Sequence, residues 1–150
     1  MSALCITNVN FKDFIMGTRS LTFVYTDHYE GEKPKPIINM YRQFDGYPSG
    51  HGLELAEFMA SFDAVVNGIP FDDKRKVANG MGCLAAQMIA HFKDGVGGFY
   101  LYPVTSKDCG QEYEYHIYSD RITVKDWNGK AIFTGPWAYF KEFCTEKENA

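Results

Sequence analysis

The sequence predicts an α+β domain in which a mostly antiparallel sheet of about five to six strands carries two main helices packed on one face. Three observations predict it. Runs rich in β-branched and aromatic residues come first, over 20–26 and 37–43. Two helical stripes follow, over 53–62 and 74–92. Short strand-like segments then fill 99–134, punctuated by Gly, Pro and Asn-Gly.

The first fifteen residues hold apolar side chains (Leu4, Ile6, Val9, Phe11, Phe14, Ile15) without a clear period. Met16-Gly17-Thr18-Arg19 then reads as a fresh start. The expected division is an N-terminal extension over 1–16, one domain over 17–144 and a flexible tail over 145–150. Ser20 to Thr26 is the first strand. Asp27 to Pro36 mixes Gly and two Pro with charges and is a loop. Ile37 to Gln43 is the second strand, and the simplest pairing of the two is an antiparallel hairpin.

Leu53, Leu55, Ala56, Phe58, Met59 and Phe62 form a helical stripe with Glu54 and Glu57 on the polar side. Ser49 is its candidate N-cap. Ala64 to Ile69 fits a short strand or a packed loop. In the second helix, expected from Lys74 to Phe92, the stripe is Val77, Met81, Leu84, Ala85, Met88 and Phe92. Small residues at 78, 80, 82, 85 and 86 suggest close approach by a neighbouring element. Gly95, Gly97 and Gly98 end that helix. Strands are expected at 99–102, 112–118 and 121–127. Asn128-Gly129 signals a type I′ hairpin returning through 131–134. Trp137 to Phe143 is a short helix or a last strand.

At 150 residues the chain has the length of one domain and can bury a core without staples. Its aromatic content of 16% suits a β-rich core or a binding surface. The net charge is −4, and no basic run exceeds Lys74-Arg75-Lys76, which argues against a dedicated nucleic-acid binder. Cys5, Cys83, Cys109 and Cys144 make no CxxC pair, so a structural zinc site has little support. No signal peptide or membrane-length apolar run is present. The expectation is a cytoplasmic protein with reduced thiols and no membrane partner.

Three stretches carry residue types that do chemistry. The first is Tyr41-Arg42-Gln43-Phe44-Asp45-Gly46-Tyr47-Pro48-Ser49-Gly50-His51-Gly52. A glycine-bearing loop entering a helix offers backbone N–H groups and a positive dipole end to an anion. Arg42 adds a fork for phosphate or carboxylate. The plain alternative is that Arg42 pairs with Asp45 to hold a turn and His51 is a solvated cap. The stretch matches neither GxGxxG nor GxxxxGK[ST], so no known phosphate loop is matched, and the sequence leaves any cofactor unknown. The second is Asn79-Gly80-Met81-Gly82-Cys83, where an inert thiol is favoured over a nucleophile. The third is Glu112 to Tyr118. There Glu114 and His116 share one strand face, which suits a mixed metal or acid/base site or simply a solvated sheet face.

Several of these segments together resemble a family of small uncharacterised proteins often encoded by bacteriophages and large viruses. They are Gly17-Thr18-Arg19-Ser20-Leu21-Thr22, the 41–52 stretch, Asn79 to Ala86, Gly98 to Pro103 and Glu112 to His116. The resemblance covers roughly 17–127. It brings no catalytic residue with it. A phage setting implies an accessory role, such as sequestering a nucleotide signal or binding a host protein to counter host defence.

The residues favour a non-enzymatic binder whose partner is a small anionic, nucleotide-like ligand or a host protein. Its expected site is Arg42, Asp45, Tyr47 and His51, with Asn79 joining from the second helix. Arg42 holds the anion, Tyr47 stacks, and Asp45 and His51 set specificity. The alternative is a small hydrolase or nuclease using His51 and Asp45, with His116 as a further candidate. A third reading is an oligomerising module whose Tyr-rich sheet is an interface.

Overall fold

A computed structural model describes residues 17–69 and 74–149. The expected extension over 1–16, with Cys5 in it, lies outside the described residues. The fold is α+β. A six-stranded, mostly antiparallel sheet is built from β1 (Ser20–Tyr25), β2 (Pro36–Arg42), β5 (Phe99–Tyr102), β6 (Tyr113–Ile117), β7 (Ile122–Asp126) and β8 (Ala131–Gly135). Their spatial order is β5-β2-β1-β6-β7-β8, and β1 with β6 is the one parallel pair. A separate two-stranded parallel pair joins β3 (Ala64–Val66) to β4 (Val77–Asn79). The helices are α1 (Leu53–Ala60), α2 (Gly80–Phe92) and α3 (Trp137–Asn149).

Alternation along the strands separates two faces. In β1, Thr22 and Val24 point to one side and Leu21, Phe23 and Tyr25 to the other. The parallel register sets Thr22 beside Tyr115 and Phe23 beside His116. Val24, Met40, Tyr115, Ile117, Ile122 and Val124 form one core with Leu55, Met81, Leu84, Met88, Phe92 and Phe140. All three helices therefore cover the same face. The opposite face has a small cluster of its own, Leu21, Phe23 and Tyr41, against which Tyr25 and Cys109 pack. The segment 103–112 runs over part of that face. Asn39 Nδ2 donates to the carbonyls of Pro103 (3.2 Å) and Ser106 (3.0 Å) and ties the segment down.

The β1–β2 hairpin forms as its sequence predicts. Three expectations change. The second helix begins at Gly80 rather than Lys74, because Val77–Asn79 pairs with Ala64–Val66 instead. Gly80 adopts φ +81°, which breaks helical continuation, and Asp27 then accepts the Met81 N–H at 3.1 Å. Asp27 is thus a cap supplied from the β1–β2 loop. Of the small residues there, Gly80 meets Asp27, whereas Gly82 faces open space. The β7–β8 turn is not type I′, since Asn128 keeps negative φ and only Gly129 is left-handed (φ +79°). Gly129 N–H closes on Asp126 O at 2.9 Å, giving the three-residue loop with a glycine bulge. Finally, α3 runs on to Asn149, through most of the stretch expected as a tail. Its buried Phe140 and Cys144 dock it on the sheet and on the loop before α1.

Candidate functional site

The 41–52 stretch folds as a strand end, a sharp bend and one π-type turn (Pro48–Gly52) leading into α1. Asp45 takes φ +61°. Gly46 lies against Ser20, where a Cβ would sit 2.8 Å from the Ser20 Cβ. Its N–H donates to Thr18 O (2.9 Å), and its carbonyl accepts from the buried Tyr115 hydroxyl (2.7 Å). The N–H groups that an anion would need are engaged inside the loop. Gly50 N–H donates to Tyr47 O at 2.9 Å and His51 N–H to Asp45 O at 2.8 Å.

His51 is fully buried rather than a solvated cap. Arg42 Nη1 donates to its Nδ1 at 3.0 Å. Arginine can only donate, so Nδ1 carries no hydrogen, and Nε2–H donates to Thr22 Oγ1 at 2.8 Å. Burial, and secondarily the Arg42 charge, push the imidazole well below the usual histidine range. The ring has no nitrogen left for a substrate. Arg42 does not pair with Asp45. Its Nε donates to Phe44 O (2.6 Å), its Nη1 also meets Glu54, and its guanidinium lies 5.0 Å from the Phe99 ring centre. The neighbouring cleft is lined by Arg42, His91 and three carboxylates, Glu54, Glu57 and Asp94, a charge balance that opposes an anion.

The other expected site residues are dispersed. Asp45 is exposed and accepts from Tyr47 Oη at 3.2 Å. Tyr47 lines a different cleft, with Trp127 and Glu112. Asn79 accepts the Gly68 N–H at 2.7 Å and sits at the start of α2, while the Arg42 cleft meets Phe92 at its end. Thirteen helical residues separate the two ends by about 20 Å. Cys83 Sγ donates to Gln87 Oε1 at 3.3 Å within its own helix.

The open sheet face carries the better constellation. Tyr25 Oη lies 2.6 Å from His116 Nδ1, and His116 Nε2 lies 2.9 Å from Glu114 Oε1. A carboxylate only accepts, so Nε2 bears the hydrogen. In the neutral ring Nδ1 then accepts from the Tyr25 hydroxyl. The His116 bond chiefly, with a second bond from Gln111 Nε2, holds the Glu114 carboxyl below its ordinary range against the opposing effect of burial. Burial first, then the neighbouring Tyr118, push the Tyr25 phenol up. Phe23 stacks on His116 (5.0 Å, 10°) and Tyr118 on Tyr25 (4.3 Å, 16°), which fixes both rings.

This hydroxyl–imidazole–carboxylate chain floors a cleft of about 350 Å³ lined by Phe23, Tyr25, Glu114, His116, Lys107 and Lys125, with Val104 and Pro36 at its edge. Lys107 comes from the 103–112 segment. Lys125 stands opposite Glu114 in the sheet register. Neither lysine has a hydrogen-bonded carboxylate partner among the described residues. Sequence reasoning found Glu114 and His116 but missed Tyr25, Lys107 and Lys125. The available signal was the Phe23/Tyr25 alternation, which marks a second apolar face on β1.

A further cleft of about 340 Å³, between α2 and the edge strand β5, is lined by Met40, Ile89, Lys93, Phe99, Tyr100 and Leu101. Of its two polar side chains, Lys93 and Tyr100, the lysine Nζ is occupied by the carbonyls of Gly97 (3.1 Å) and Phe99 (2.7 Å). The rest of its lining is apolar, so it offers few groups to orient a small ligand.

Fold and clefts define an α+β protein with a helix-covered sheet face and an open, partly strapped one. No family model, curated protein or solved structure matches the chain. Among the described residues no helix is long and apolar enough to cross a membrane, and no group of three or more His, Cys, Asp or Glu is placed to hold a metal ion.

Proposed function

We propose that this protein binds a small anionic ligand in the cleft over the open sheet face and does not convert it. The observation that carries this reading is the pairing of two lysines, Lys107 and Lys125, above a rigid polar floor. The lysines supply the charge. Tyr25 Oη, whose hydrogen points to His116, offers lone pairs to a ligand N–H or O–H. Phe23 and Tyr25 supply apolar walls. The resemblance to phage and large-virus proteins supports a nucleotide-like host signal as the anion, sequestered to blunt a defence. A host protein is the competing partner.

A thermal-shift screen against nucleotides, cyclic nucleotides and nucleotide sugars tests it, run beside the Lys107→Ala/Lys125→Ala double variant. A ligand at a hundred times its Kd adds about 2.7 kcal/mol, or about 5–10 °C in a domain of this size. The expected result is such a shift in the parent protein and its loss in the variant. A flat screen sinks the small-ligand reading and leaves the host protein, sought by pull-down.

The Tyr25–His116–Glu114 chain favours a second reading, in which the bound ligand exchanges a proton with Tyr25 Oη. Chromatography of the recovered ligand separates the two. An unchanged ligand supports the binder, and a product that disappears in Tyr25→Phe supports the enzyme.

A further inference from the structure

A separate cleft opens at the end of the sheet where β1 and β6 begin and β7 ends. Its volume is about 450 Å³, and Thr18, Tyr47, Glu112, Tyr113 and Trp127 line it. Of the described residues that line it, three are aromatic, one is a carboxylate and none is cationic. Trp127 stands on the β7–β8 turn with 74% of its surface exposed. Tyr47 is held at its hydroxyl by Asp45, and its ring lies along Gly50, where a Cβ would come within 2.9 Å of it. Asp126 faces Tyr113 in the sheet register. Beyond the effect of burial, Glu112 and Asp126 both raise the Tyr113 phenol, so both carboxylates act on this cleft.

We infer that this cleft binds an alkylated ammonium group, of the trimethylammonium type found in choline. Aromatic rings present negative π-faces, and an ammonium ion within about 6 Å of a ring centre is attracted to them. The carboxylates add long-range attraction and oppose phosphate or carboxylate ligands. A primary ammonium or a bare metal ion would need several oxygen acceptors to replace its water. The Tyr47 hydroxyl is already committed to Asp45, and the remaining side-chain oxygens, of Glu112, Thr18 and Tyr113, share the wall with three aromatic rings. A trimethylammonium group is weakly hydrated, presents methyl groups to the rings and needs no hydrogen bond. The cleft also lies within the range of about 300–1,000 Å³ usual for small-molecule sites. It is distinct from the Lys107/Lys125 cleft and opposite to it in charge preference.

The test is a titration of the full chain with choline chloride and with its neutral isostere 3,3-dimethylbutan-1-ol, followed by amide and indole NMR shifts. The chain has two tryptophans, and Trp137, whose indole nitrogen is buried, serves as the internal control. The expected result is a saturable shift of the Trp127 indole with choline and none at Trp137. The isostere binds about tenfold more weakly or worse, as loss of about 1.4 kcal/mol of cation–π and charge attraction requires. Glu112→Gln weakens choline binding several-fold, and Trp127→Ala abolishes it. Trp127 is exposed on a turn, so its replacement leaves the fold intact. Equal binding of the two compounds, or no saturable shift with choline, overturns the inference.

Discussion

Arg42 Nη1 donates to His51 Nδ1 at 3.0 Å beneath the first turn of α1. That one bond selects the histidine tautomer and thereby aims Nε2–H at Thr22 on the central strand β1. It joins strand β2, the turn before α1 and strand β1 in a single buried chain. The residues that most resemble an anion site in the sequence are consumed in holding the fold together.

Arg42→Met is therefore expected to destabilise the protein by about 2–4 kcal/mol, since it leaves His51 and the Phe44 carbonyl without their charged donor. Urea unfolding measures this directly. A neutral or stabilising result would mean that Arg42 serves a ligand and not the fold. Binding in the Lys107/Lys125 cleft should survive in whatever fraction of the variant is folded.

Burial also gives His51 a signature in pH. Its folded pKa is depressed, so between that value and the unfolded value of about 6.5 the unfolded chain binds a proton that the folded chain does not. Stability rises with pH through this window and falls as pH drops below about 6.5, by at most about 1.4 kcal/mol per pH unit. Glu114, also depressed, acts in the same direction but below its unfolded value of about 4.3. Unfolding free energies at pH 7.0, 6.0 and 5.0 should show the histidine slope, and His51→Gln should flatten it.

Gly52 and Cys144 form a second long-range joint. A Cβ on Gly52 would come within 2.7 Å of the buried Cys144 Sγ. Gly52→Ala is expected to cost about 1–3 kcal/mol through overpacking. Cys144→Ala should recover part of that loss when the two are combined, although it opens a small cavity alone. A double-mutant cycle with no coupling would place the cost in the turn rather than in the helix contact.

At the start of α2, Asp27→Ala should cost about 1 kcal/mol by removing the acceptor of the Met81 N–H and the negative charge near the helix N-terminus. Gly80→Ala should cost about 1–2 kcal/mol from the left-handed backbone alone. Hydrogen exchange at the α2 amides is the informative readout. Faster exchange confined to the first turn fits a local cap, whereas faster exchange throughout would make the cap essential to the whole element.

The sequence by itself determined the elements whose causes are local. The β1–β2 hairpin, α1 and the strands from 99 to 134 follow from alternation, helical stripes and glycine or proline breaks acting within a few residues. It also placed Glu114 and His116 on one face, because that depends only on strand pleat. Tertiary structure decided the rest. Lys74 to Asn79 reads as helix until Ala64–Val66 offers a strand to pair with and Asp27 caps the helix at Gly80. Tyr25 joins His116 only because β1 and β6 pair in parallel across 91 residues of chain. His51 turns inward because the helices covering that face remove it from water, and Arg42 reaches it from the partly exposed end of β2. Each polar group then needs a partner from another element. Such partners are set by which surfaces the folded chain brings together, and no local pattern of residues encodes them.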